Sequence, residues 1–167
     1  HYSQQQHLKK AKTKIPSRDT ETDESFQKFL DDKHPFSILN YIPKDLLPIP
    51  SDFTANNAKQ FLLREEAWIA FADMARSFQN HFQSRKKLSI TSAYRSYEHQ
   101  KQLPKQYCRK NLCAEPWSSE HQAGLAIDLG VNKGRLDPTS LNWLKENAHL
   151  WWFHNTYQKG VDTDGKM

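Results

Sequence analysis

The chain has 167 residues, 37% hydrophobic and 26% charged, with five glycines and eight prolines. That length suits one domain with a core of its own, and the composition excludes collagen-like and low-complexity chains. No apolar run approaches the roughly 20 residues that cross a bilayer, so no transmembrane segment is expected.

The net charge of +5 belongs to the N-terminal stretch, where Lys9, Lys10, Lys12, Lys14 and Arg18 stand without an acid; residues 19–167 are balanced. Such an arm is either a solvated tail or a contact for nucleic acid, anionic lipid or an anionic wall polymer. The neutrality of the remainder argues against a nucleic-acid partner. Residues 1–35 are polar and poor in apolar side chains until Phe26, and are expected to form a disordered or loosely attached linker with a short helix around Glu24–Asp31. The chain opens on His1 rather than methionine, which fits removal of an N-terminal signal or anchor. Phe36 to Phe53 holds three prolines among large apolar residues and predicts an extended segment pinned to the domain surface.

A long helix is predicted from about Asn57 to Gln83. Phe61, Trp68, Phe71, Ala72, Ala75, Phe78 and Phe82 recur mostly at spacings of three and four, and this stripe is read as core. Leu88–Ser92 alternates as a strand. A polar helix is expected from Ser96 to about Leu103, ending before Pro104. Cys108 and Cys113 fit a local disulfide in an exported protein; a zinc pair and two unrelated free thiols are the other readings. Leu125–Leu129 is predicted as a second strand. Asp137-Pro138 has the form of an N-cap followed by proline at the first helical position, opening a helix with Leu141, Leu144 and Ala148 on one face. Trp151–Phe153 is predicted as a strand returning to the sheet. The sum is an α+β domain with a small, mostly antiparallel sheet flanked by helices.

The chemistry concentrates in Ser118-Ser-Glu-His121-Gln-Ala-Gly124-Leu-Ala-Ile-Asp128. Asp128 inside an apolar strand requires a partner, because an unpaired buried charge is costly. A divalent metal shared with His121 would supply one, and nitrogen plus carboxylate suits zinc. A structural Asp satisfied by other means explains the same pair. Gly124 permits close backbone approach.

Ser119-x-His121-x-x-Gly124-x-Ala126-x-Asp128 resembles the zinc signature of the VanY-like D-alanyl-D-alanine carboxypeptidases, which share a group with lysostaphin-type enzymes and the hedgehog fold. Ser92-Ala-Tyr94-Arg95-Ser96, followed by Gln100, resembles a second motif of that family, in the expected order. The Asn40–Pro50 segment and the Trp143–His149 helix are also similar, so the resemblance runs from about Ile38 to the end. It implies a peptidase domain over residues 36–167, with Zn2+ as cofactor and His121 and Asp128 as two of its three ligands. Arg95 would stabilise the scissile carbonyl or the substrate's charged end, and Tyr94, Gln100 and Ser119 would line the substrate site. The implied reaction is removal of the terminal D-alanine from a peptidoglycan stem peptide, of D,D- or L,D-specificity, by an exported enzyme at the periplasm or cell wall. One departure matters: the family's third ligand and general base lie in a C-terminal Glu-x-Trp-His-type motif, which does not occur here. Either the domain lacks that segment or His149 or His154 takes the ligand's place. A wall-binding domain that keeps the cleft without catalysis is the alternative function.

Overall fold

The computed structural model describes residues 40–55, 60–103 and 119–155. The expected linker over residues 1–35 and the two cysteines lie outside these residues.

The proline-rich segment is partly regular. Leu46–Pro48 forms strand β1, and Ser51–Phe53 winds into one 3-10 turn. β1 pairs antiparallel with β2, Leu62–Arg64, with Leu46 opposite Arg64 and Pro48 opposite Leu62. Proline donates no ladder hydrogen bond, so a strand ending in one suits the edge of a two-stranded sheet.

Strand β2 corrects the predicted start of the long helix. Helix α1 spans Glu65–His81 rather than beginning near Asn57, because Leu62–Arg64 is spent on pairing with β1. Its first turn carries Glu65 and Glu66, which complement the positive end of the helix dipole. Ala67, Phe71, Met74, Ala75 and Phe78 are its buried face. Trp68 and Phe82 pack at the margin of the same core, and Phe61 reaches it from outside the helix. The helix stops at His81, two residues before the predicted end. Gln83 and Ser84 take positive φ, and their amides return to Asn80 and Gln79, closing the last turn.

The expected strand Leu88–Ser92 is β3, and it pairs antiparallel with β4, Asp128–Val131. β4 therefore begins three residues later than predicted, and Leu125–Ile127 is irregular backbone. The register runs Leu88–Val131, Ser89–Gly130 and Ile90–Leu129, then slips so that Ser92 faces Asp128. The bulge at Thr91 turns the end of β3 away from its ladder, and the following residues Ala93, Tyr94 and Arg95 leave the sheet there.

Helix α2 is short, Tyr97–Lys101, and Ser96 caps it by accepting the His99 amide. Helix α3, Pro138–Asn147, has the predicted Asp137 cap and first-turn proline. Its inward face is Ser140, Trp143 and Leu144, while Leu141 remains exposed. Trp143 meets Phe78 edge-on at 5.2 Å and stacks on Trp151 at 6.1 Å, tying α3 to α1. The returning strand at Trp151–Phe153 is not formed. Ala148–Trp151 is a 3-10 turn, and Trp152 adopts φ +67 so that its amide and that of Phe153 bond back to His149 and Ala148. This closure of a helical end uses the backbone groups that a strand would have needed.

The architecture is the expected α+β class, with the antiparallel pairing among the described residues split between two two-stranded sheets. One core of Leu63, Phe71, Met74, Phe78, Leu88 and Ile90, all nearly inaccessible to solvent, lies between the sheets and the helices.

Candidate metal and substrate site

Three pieces of chain converge beside the bulge. The departing end of β3 brings Ser92 to Arg95, the turns at Ser119–Gly124 bring His121, and the first residue of β4 is Asp128. The Ser119–Gly124 segment is wound tightly: the Gln122 amide donates to the Ser119 carbonyl and the Gly124 amide to that of His121. Ser119, His121, Gln122 and Ala123 are buried as a result. Gly124 has φ +69, and a Cβ there would lie 2.9 Å from both Arg64 Cγ and Leu46 Cδ2, so glycine is required twice over.

His121 is held on both sides of its backbone. Its carbonyl accepts the Arg95 amide at 3.1 Å, and its ring Nδ1 lies 2.8 Å from the Ala93 carbonyl. A carbonyl only accepts, so Nδ1 carries a proton, and Nε2 is the ring nitrogen left for a metal. Nε2 lies 3.7 Å from Asp128 Oδ1. That is too long for a hydrogen bond. It suits two donors that share an ion, since tetrahedral zinc with ligand bonds near 2.1 Å separates its donor atoms by about 3.4 Å. The donor types and their spacing therefore fit zinc.

Arg95 Nη2 lies 3.9 Å from the other carboxylate oxygen of Asp128. The Asp128 side chain is 52% exposed, and its carboxyl is partly shielded from solvent. Burial there pushes its pKa up. The attraction of His121, the charge of Arg95 and a hydrogen bond from Ser92 outweigh that, and the group titrates below its ordinary value.

Of the predicted site residues, Arg95, His121 and Asp128 are in mutual contact. Tyr94 and Ser119 adjoin this group along the chain, Ser119 opening the turn that holds His121. Gln100, only 6% exposed, lies on α2. The Tyr94 hydroxyl is buried with no hydrogen-bond partner, and desolvation raises its pKa. Among the described residues no group of three His, Cys, Asp or Glu side chains gathers to hold a metal. His149 and His154 are both exposed and do not join His121 and Asp128, which removes the two substitutes considered for the third ligand. Two contributions escaped the sequence reading. Ser92 serves the Asp128 carboxylate, and the Ala93 carbonyl sets the His121 ring; strand pairing, and not spacing, creates both.

The family model for VanY, D-alanyl-D-alanine carboxypeptidase, matches residues 60–167. This chain belongs to that family. The VanY match covers β2 through the end of the chain and so includes every candidate site residue. The YodJ protein of Bacillus subtilis (strain 168), whose name proposes a carboxypeptidase, is 29% identical over 142 residues, 74% of this chain and 50% of its own length. The chain thus spans half the length of that relative. Among solved structures, the LdcB LD-carboxypeptidase is 27% identical, with a TM-score of 0.65 over 79% of this chain and 67% of its own. VanYB in complex with D-alanine-D-alanine aligns with a TM-score of 0.60 at 18% identity, covering 82% of this chain and 81% of its own. A VanY D,D-pentapeptidase from a VanB-type resistance cassette, in complex with Zn(II), has a TM-score of 0.59 at 18% identity over 77% and 75% of the two chains. The last two establish a shared VanY-type fold.

Proposed function

We propose that this VanY-family chain is a zinc-dependent carboxypeptidase that removes the terminal D-alanine from peptidoglycan stem peptides. The observation that carries the reading is the pairing of a tautomer-fixed imidazole with an ionised carboxylate at 3.7 Å, backed by a guanidinium. His121 Nε2 and Asp128 would hold the metal. Zinc bound there supplies a Lewis acid and lowers the pKa of a bound water. Arg95 meets the negative charge that develops on the scissile carbonyl, or the terminal carboxylate, through a two-pronged contact. Ser119, Gln100 and Tyr94 line the position of the terminal D-residue, and the partnerless Tyr94 hydroxyl is free to bond to it. Both D,D- and L,D-specificity are compatible with this arrangement. With a substrate in the wall, the enzyme would act outside the cytoplasm, at the periplasm or cell wall.

A second reading rests on the donor count. Only two metal donors meet among the described residues, which suits a domain that binds the stem peptide without cleaving it. One experiment decides between them. The protein is incubated with stem penta- and tetrapeptides, with and without added Zn2+, and the products are resolved by mass. Release of one D-alanine, abolished by a chelator and by His121→Ala, supports the enzyme. Unchanged peptides that are retained in equilibrium dialysis support the binding domain.

A further inference from the structure

Arg64 has the largest fully buried side chain among the described residues, 1% exposed, and it lies at the end of β2 away from any role assigned above. Burying a guanidinium is costly unless its partners are well placed. Here Nε lies 2.9 and 3.0 Å from the two carboxylate oxygens of Asp45, and 3.7 Å from Glu66. These partners come from the residue preceding β1 and from the first turn of α1. The stem of the side chain lies directly beneath the metal-binding turn: its Cγ is the atom that a Cβ on Gly124 would strike. The Arg64 amide donates to the Gly124 carbonyl at 3.0 Å, and the Gly124 amide in turn donates to the His121 carbonyl at 3.2 Å. A continuous chain of contacts therefore runs from Asp45 through Arg64 and Gly124 to His121.

We infer that Arg64, clamped by Asp45 and Glu66, is a positioning residue that sets the height of the Ser119–Gly124 turn and so the approach of His121 to Asp128. This rests on the proposed metal site for its consequence, though not for its geometry. With the head of the side chain pinned, the stem is a fixed floor. Released, it leaves Gly124 free to settle inward, and His121 is drawn from its 3.7 Å separation from Asp128.

The test uses Arg64→Met and the gentler Asp45→Asn, with Leu144→Ala as a destabilised reference remote from the turn. Co2+ affinity is measured by its visible absorption, and amide exchange is followed at Arg95, Gly124 and core positions of α1. Loss of the clamp is expected to weaken Co2+ binding at least tenfold and to accelerate exchange at Arg95 and Gly124 far more than in α1. Leu144→Ala is expected to leave Co2+ affinity unchanged. Co2+ affinity within twofold of wild type in the folded variants, or equal acceleration at the turn and in α1, would overturn the inference. If wild-type protein takes up no Co2+, the metal reading fails on its own, and the exchange pattern still decides the role of Arg64.

Discussion

Replacing Gly124 by alanine tests the packing of the Ser119–Gly124 turn with a single methyl group. The backbone at φ +69 costs an L-residue about 1–2 kcal/mol. The methyl would also meet Arg64 Cγ and Leu46 Cδ2 at 2.9 Å. Neither neighbour yields easily, since Arg64 is pinned by Asp45 and Leu46 is paired in β1 opposite Arg64. Overpacking of this kind adds about 1–3 kcal/mol. The expected loss is therefore about 2–5 kcal/mol, a large share of the 5–15 kcal/mol typical of a domain. Urea unfolding of wild-type and Gly124→Ala protein, fitted with a common m-value, measures it directly. A loss below about 0.5 kcal/mol would mean that the turn moves freely over β1 and β2, which would contradict the tight contacts on which the site geometry depends.

Three further outcomes are expected. Phe78→Ala removes a fully buried ring that touches Trp143 edge-on and Phe82, and should cost about 3–5 kcal/mol by the same urea assay. Asp137 is held well below the usual carboxylate range, first by Lys86 and then by Thr139 and Ser140. Its contribution is therefore complete above its unfolded pKa near 3.9 and is lost as the pH falls below that value. The Tm difference between wild type and Asp137→Ala should thus be constant from pH 7 to about 5 and narrow below about 4; a gap that widens in acid would refute the assignment. Arg95→Ala should lower kcat for D-alanine release by roughly 10²–10³ if the guanidinium meets developing charge, and a change confined to KM would assign it to the substrate's carboxylate alone.

Most of the helices and β3 were legible because their signals are local. The cap and proline at Asp137-Pro138, the aromatic period of α1 and the alternation of Leu88–Ser92 each need only a few neighbouring residues. The errors fall where a distant partner decides. Leu62–Arg64 continues the apolar pattern of α1, yet β1 captures it as a strand. Leu125–Ile127 is as apolar as a strand, but β3 ends in a bulge and only Asp128 onward finds a ladder to join. Trp151–Phe153 has the composition of a strand and is instead consumed in closing the end of α3.

The site divides along the same line. His121, Asp128 and Arg95 were legible because a motif fixes their spacing, and the structure does bring them together. What orients them was not legible, because those groups have no side-chain signature of their own. A backbone carbonyl at Ala93 selects the His121 tautomer, and a register slip delivers Ser92 to Asp128. Arg64 stands in a run, Leu-Leu-Arg-Glu-Glu, that reads as the exposed start of a helix, and only the fold reveals its stem packed under Gly124 and its guanidinium buried beside Asp45. The candidate site groups are thus written in residue types, while their placement comes from pairing and burial. Substitutions at Arg64 or Ser92 should therefore perturb the site while leaving every motif residue in place.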